Sequence, residues 1–146
     1  MISKNTMRKI LFSILGVILL WWFFLSHVTF LKNKAEIHES KNDGYIAKYY
    51  KPLPVNLFGM YFLTVERESF FVVLYDINNN YIGQSSPFYM SGIINVLERN
   101  PMFPNNDDSD PFNDRFVVVN SEDFSNAYEI SINHKKWWSK ILKYFH

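Results

Sequence analysis

Cysteine is absent from the 146 residues, so the chain has neither a disulfide frame nor a thiolate metal site, and composition leaves the redox compartment open. Glycine occurs only five times, never in a phosphate-cradling run ahead of a helix, and no G-x-S-x-G elbow is present. Histidine is also scarce. His27, His38, His134 and His146 are scattered, and no two have the i, i+3 or i, i+4 spacing of a helical ligand pair. Asp76, Asn78 and Asn80 begin like a calcium loop, but Tyr81 stands where the turn needs glycine and Pro87 where it needs a bidentate glutamate. Asp107, Asp108, Asp110 and Asp114 read as a solvated loop rather than a cation site. Ser85 and Ser86 have a sufficient reason in a strand ending at Pro87. These absences lead us to expect no metal, no cofactor and no enzyme. Carboxylates that meet only in space keep an envelope enzyme open as an alternative.

Acids are missing from the first 31 residues, and from residue 10 to 31 there is no lysine or arginine either. That stretch, ILFSILGVILLWWFFLSHVTFL, holds 15 Leu, Ile, Val or Phe among 22 residues. At about 1.5 Å per residue, a helix of that length rises about 33 Å, enough for a hydrocarbon core of about 30 Å. A core helix apolar on every side would need more protein around it than the remaining residues offer. A cleaved signal peptide fits poorly, because SHVTFLKNKA has bulky residues where a peptidase needs small ones. Residues 10–31 are therefore expected to be a transmembrane signal-anchor. Lys4, Arg8 and Lys9 lie before it, which favours residues 1–9 as a cytoplasmic tail and a C-terminal domain outside. Lys32 and Lys34 at the other end argue the opposite way.

The net charge of +1 conceals a division along the chain. Residues 32–51 carry five lysines against three acids, and residues 66–129 carry eleven acids against three arginines. Four further lysines follow from Lys135. An acidic middle argues against nucleic acid as a partner.

Beyond the anchor, residues 32–43 are polar and read as a tether. Residues 44–146 read as one small β-rich domain. GYIAKYYKP places Tyr45, Ala47 and Tyr49 on one side of a strand and Ile46, Lys48 and Tyr50 on the other, before Pro52 and Pro54 end it. MYFLTV (60–65) suggests a second strand, and FFVVLY (70–75) a central strand covered on both faces. Asn78, Asn79 and Asn80 mark a hairpin turn into YIGQSSPF. From 89 to 104 the signals conflict, with Ser91 as a candidate cap for a helix over 92–99 and IINVL as a candidate strand. Glu66 and Glu68 read as a charged edge beside Arg67. RFVVV (115–119) and AYEISI (127–132) complete about six strands, so the expected class is α+β with an antiparallel sheet or a small sandwich or barrel.

The tail, residues 135–145, is expected to form a short amphipathic helix. Trp137, Trp138, Ile141, Leu142 and Phe145 share one broad face, and Lys136, Lys140 and Lys143 fall on the other. Tryptophan with lysine suits the headgroup region, making these eight residues a candidate membrane interface. The alternative is a helix that closes one face of the sheet.

Three segments together, GYIAKYYKP (44–52), DINNNYIGQSSPF (76–88) and KKWWSKI (135–141), resemble an uncharacterised enterobacterial family of short single-pass membrane proteins, a domain of unknown function. The resemblance implies a bacterial inner-membrane protein and brings no catalytic residues. Aromatics are the remaining excess, 27 of 146 residues, and a tyrosine-rich sheet face ringed by acids suits a protein partner. The expected function is a membrane-anchored, non-enzymatic protein-interaction module at the periplasmic face. It would be an envelope-complex subunit or an immunity-type protein, in contact with the lipid bilayer and a protein partner. The alternative is a lipid-binding module acting through the basic Trp/Lys tail.

Overall fold

The computed structural model describes residues 3–30, 36–65, 68–92, 101–105, 107, 109–118 and 128–146. In chain order its elements are helix α1 (Lys4–Leu25), strands β1 (Glu36–Lys41) and β2 (Tyr45–Tyr50), helix α2 (Leu57–Val65), strands β3 (Ser69–Asp76), β4 (Tyr81–Gln84), β5 (Ser91–Gly92), β6 (Arg115–Val118) and β7 (Tyr128–Ser131), and helix α3 (Trp137–Leu142). The fold is α+β: a long apolar helix, an antiparallel sheet and a short C-terminal helix. Of the conflicting stretch 89–104, residues 93–100 lie outside the described residues, as do Glu66 and Arg67 of the charged edge; Ser91 and Gly92 form strand β5.

Strand β3 carries the architecture. Its run is apolar in both directions, and residues 69–74 are buried. The sheet order is β1-β2-β3-β4, with β5 pairing the start of β3. Phe70, Val72 and Leu74 point to one face, joined by Ala47 and Tyr49 of β2, and the two-stranded ribbon β6-β7 packs there through Phe116, Val118, Tyr128 and Ile130. Phe71 and Val73 point to the other face, joined by Tyr50, and the helices close it through Leu25, Val28, Phe62 and Leu142. Two cores thus share one strand, and the alternation read for residues 45–50 is the division between them.

The hairpin at 76–81 forms by turn chemistry. Asp76 Oδ1 accepts the Asn78 and Asn80 backbone N–H groups, each at 2.8 Å, and Oδ2 accepts from Asn80 Nδ2 at 2.7 Å. Asn79 takes φ 62°, which asparagine tolerates. Both carboxylate oxygens are occupied by the turn, and these hydrogen bonds hold the Asp76 carboxyl below its usual range. Asp107 and Asp110 likewise accept backbone N–H groups within their own loop.

Three sequence expectations are corrected. The tether of residues 32–43 contains the edge strand β1, paired along β2. Its charges made it look unstructured, yet Ile37 packs on the core and Lys48 of β2 reaches Glu36 and Glu39 at 3.4 Å each. Charged side chains on an edge strand deter pairing with other chains. MYFLTV is helical, as part of α2, not a strand. The anchor of residues 10–31 is also redrawn: the α-helix starts at Lys4 and stops at Leu25, and a 3-10 turn, Ser26–Val28, enters the domain. His27, Val28 and Thr29 are fully buried there.

Tyr128 ties the two layers together. Its ring stacks on Phe70 at 4.6 Å, its hydroxyl donates to Phe70 O at 2.8 Å, and it accepts from Ser91 N–H at 2.7 Å. Replacing it in Tyr128→Phe keeps the ring and removes the hydroxyl's hydrogen bonds to Phe70 and Ser91 in a buried setting. We expect a loss of about 1–3 kcal/mol, read as a lower denaturation midpoint of the full chain in detergent. An unchanged midpoint would show that the hydroxyl contributes nothing.

Candidate membrane interface

Where α1 ends, its last carbonyls lose their helical partners. Asn56 meets them. Its Nδ2 lies 2.9 Å from both Trp22 O and Phe23 O, and 3.1 Å from His27 Nδ1. Its Oδ1 accepts the Gly59 N–H at 2.8 Å, which caps the start of α2. One side chain therefore closes the end of one helix and opens the next. Because the Asn56 amide can only donate to His27 Nδ1, the imidazole carries its proton on Nε2, which faces Pro87 O at 2.9 Å. The Leu53 N–H donates to His27 O at 2.8 Å, so the 3-10 turn is held from both sides. Gly59 permits this approach: a Cβ there would stand 2.0 Å from Leu53 O and 2.9 Å from His27 Cβ.

Around this junction runs a collar of rings. Phe58 of α2 sits 5.7 Å from Phe23 and 6.1 Å from Phe24, while Phe88 closes a triangle with Phe24 and Phe58 at 6.3 and 5.9 Å. Trp137 adjoins Phe88 at 6.2 Å. On the other side of α1, Trp21 stacks on Phe145 at 5.8 Å and meets Phe30 edge-on at the same distance. Phe30 adopts φ 52°, a left-handed conformation unfavourable for a bulky residue, and stands 62% exposed. Helix α2 adds exposed Leu57, Met60, Tyr61, Leu63 and Val65. Between α1, α2 and Phe88 lies an apolar groove of about 360 Å3.

The eight tail residues divide. Leu142 is fully buried on the sheet, Trp138 is half-buried with Nε1 donating to Gln84 O at 3.3 Å, and Phe145 packs on Trp21. Leu142, enclosed by protein, is thereby corrected out of the candidate interface, while Trp138 and Phe145 stay half-open at the border between the sheet and the apolar helix. Trp137 and Ile141 remain outward, with Lys136, Lys140 and Lys143 exposed around them. Tyr144, not singled out from the sequence, joins this outer stripe at 86% exposure. Also missed were the outward residues of α2, because the segment read as a strand. Asn56 ahead of nine uncharged residues was the available signal for a capped helix.

The bed under α3 is polar. Ser139 Oγ accepts the Gln84 N–H at 3.2 Å and contacts the Tyr81 hydroxyl, which donates to Ser139 O at 3.0 Å. Burial pushes the Tyr81 phenol up to about 12. His146 is exposed as a whole residue, but its ring is stacked 4.9 Å from Tyr81 and contacts Tyr75 Oη and Gln84 Oε1. Enclosure of the ring pushes its pKa down to about 4. A polar cleft of about 350 Å3 beside α3 holds Arg115, already paired with Glu129 at 3.0 Å, together with His134, Lys135 and Lys136. Ser40 Oγ lies 3.2 Å from His38 Nε2, but on the exposed edge strand, where water competes for both groups. Among the described residues, no three acids or histidines gather closely enough to hold a metal ion.

Fold and junction together define one class: an α+β domain locked to an apolar helix long enough to cross a membrane. The chain belongs to a family of unknown function, DUF6201, whose model matches residues 6–142 and so takes in helix, junction and domain as one unit. No curated protein and no solved structure matches it.

The junction makes a mutational prediction. Asn56→Ala removes the α2 cap and the amide donor to Phe23 O, leaves Trp22 O with the Ser26 hydroxyl, and takes the partner from His27 Nδ1. It should cost about 2 kcal/mol or more, measured as thermal unfolding of the full chain in detergent. A change of a few tenths would mean that water replaces the amide.

Proposed function

We propose that the protein is a single-pass, non-enzymatic interaction module at the periplasmic face of a bacterial inner membrane. It would serve as an envelope-complex subunit or an immunity-type protein. The observation that carries this reading is the asymmetry of the domain. The helix layer gathers the exposed rings next to α1, while the ribbon lies on the opposite face of the sheet, with Asp107, Asp110 and Glu129 in and around it. Eleven acids against three arginines over residues 66–129 favour a basic protein surface as partner and would speed its encounter. Three cations and no acid within the first nine residues support a cytoplasmic N-terminus. A lipid-surface module is the second reading, favoured by the outward stripe of Trp137, Ile141 and Tyr144 with its flanking lysines.

A photo-crosslinking residue at Ser109 should yield a protein adduct in intact cells, and the paired Asp107→Asn and Asp110→Asn changes should weaken it. A reproducible lack of adducts would sink the partner. Alkaline phosphatase fused after residue 146 should be active, and an inactive fusion would reverse the orientation.

A further inference from the structure

A mismatch of length lies behind the collar. Helix α1 as a whole, 22 residues, is long enough to cross a bilayer, but its first turns carry Lys4, Arg8 and Lys9, and its cation-free part runs only from Ile10 to Leu25, because Ser26 begins the turn into the domain. At about 1.5 Å per residue those sixteen residues rise about 24 Å, roughly 6 Å short of a hydrocarbon core of about 30 Å. A span too short for its bilayer thins the membrane locally or draws neighbouring apolar surface into it. Such surface is present at the right level. Phe58 is packed on Phe23 and Phe24, and Phe62 lies 6.1 Å from the His27 ring, so α2 flanks the last turn of α1 and the 3-10 turn after it. Its nine residues, LFGMYFLTV, carry no charge, and Leu57, Met60, Tyr61, Leu63 and Val65 stand exposed among the described residues.

We propose that α2 and the rings beside it are sunk into the domain-side interface of the bilayer, making up the length that α1 lacks. The apolar groove lined by Phe23, Leu57, Phe58, Tyr61, Phe62 and Phe88 then receives a lipid acyl chain. The occupant is lipid because the groove is continuous with the wall of α1: Phe23 belongs to both. An interfacial helix settles about 5–10 Å into the headgroup boundary, which brackets the shortfall. Trp137, Ile141 and Tyr144, with their lysines, would form the headgroup-level rim of the same surface.

This inference rests on α1 spanning the bilayer, and the test separates the two. The native chain has no cysteine, so single sites can be labelled with a nitrobenzoxadiazole fluorophore: Met60→Cys and Val65→Cys on α2, Val17→Cys in mid-span, and Ser109→Cys on the ribbon side. The full chain is reconstituted into phosphatidylethanolamine–phosphatidylglycerol vesicles. Labels at 60, 65 and 17 should be quenched by nitroxide on the lipid chains and be blind to iodide, and the label at 109 should behave oppositely. Replacing oleoyl by the shorter myristoleoyl chains should reduce lipid quenching on α2 while leaving Val17→Cys unchanged. If the label at 17 escapes lipid quenching, the membrane reading falls and takes this proposal with it. If 17 is quenched but 60 and 65 meet iodide, only the proposal falls. Shielding of 60 and 65 from both quenchers would mean that protein covers α2, a second copy or a partner, and would overturn it as well. Quenching on α2 that ignores chain length would overturn the mismatch.

Discussion

A helix that stops inside an apolar environment must have its final carbonyls met by something other than water. Here that duty is shared by the Ser26 hydroxyl, which donates to Trp22 O, and the amide of Asn56, and the positions of the surrounding parts follow from the amide. The same side chain begins α2, so the second helix starts where the first ends. His27, held between Asn56 and Pro87, brings the loop after β4 against the junction. Gly59 lets α2 approach the 3-10 turn more closely than any other residue would allow. A small polar cluster, buried within rings, thus sets how the helix layer sits on the sheet.

The aromatic excess also resolves into places. Phe70, Phe116, Tyr49 and Tyr128 fill the core between sheet and ribbon, while Phe71 and Phe62 fill the core under the helices. A further group, from Phe24 to Phe88 and Trp137, is left partly open around the end of α1. Rings with an apolar body suit both settings, which is why composition alone could not assign them. The short α3 makes the same division within one helix: Leu142 and Trp138 inward, Trp137 and Ile141 outward. The docking reading of the tail thus concerns one side of it, and the other side is exposed.

How much was legible in the sequence depended on whether the pattern had one physical meaning. FFVVLY could hardly be anything but a strand covered twice, and the Asp76–Asn80 turn was readable because asparagine and aspartate bond their own backbone. RFVVV and the alternation of Tyr128 with Ile130 were legible for similar reasons. The end of the apolar helix was not, since hydropathy is the same whether Val28 is buried by lipid or by protein. Strand β1 hid behind the charges that protect an edge. Segment 57–65 was short and apolar, where periodicity does not separate strand from helix. What decides it is a cap at Asn56, a bond whose importance shows only beside the carbonyls of Trp22 and Phe23.

The lock between α1 and the domain closes before residue 31, through Asn56, Pro87 and Leu53. A domain joined in this way has little freedom to swivel on its stalk. For a membrane-resident protein, height and tilt would then be settled before any encounter, and the search for another membrane protein reduces to sliding and turning within a plane. Much of the orientational entropy that two free proteins lose on association is already spent in folding. A modest contact patch can then hold a complex that the same patch would fail to hold in solution.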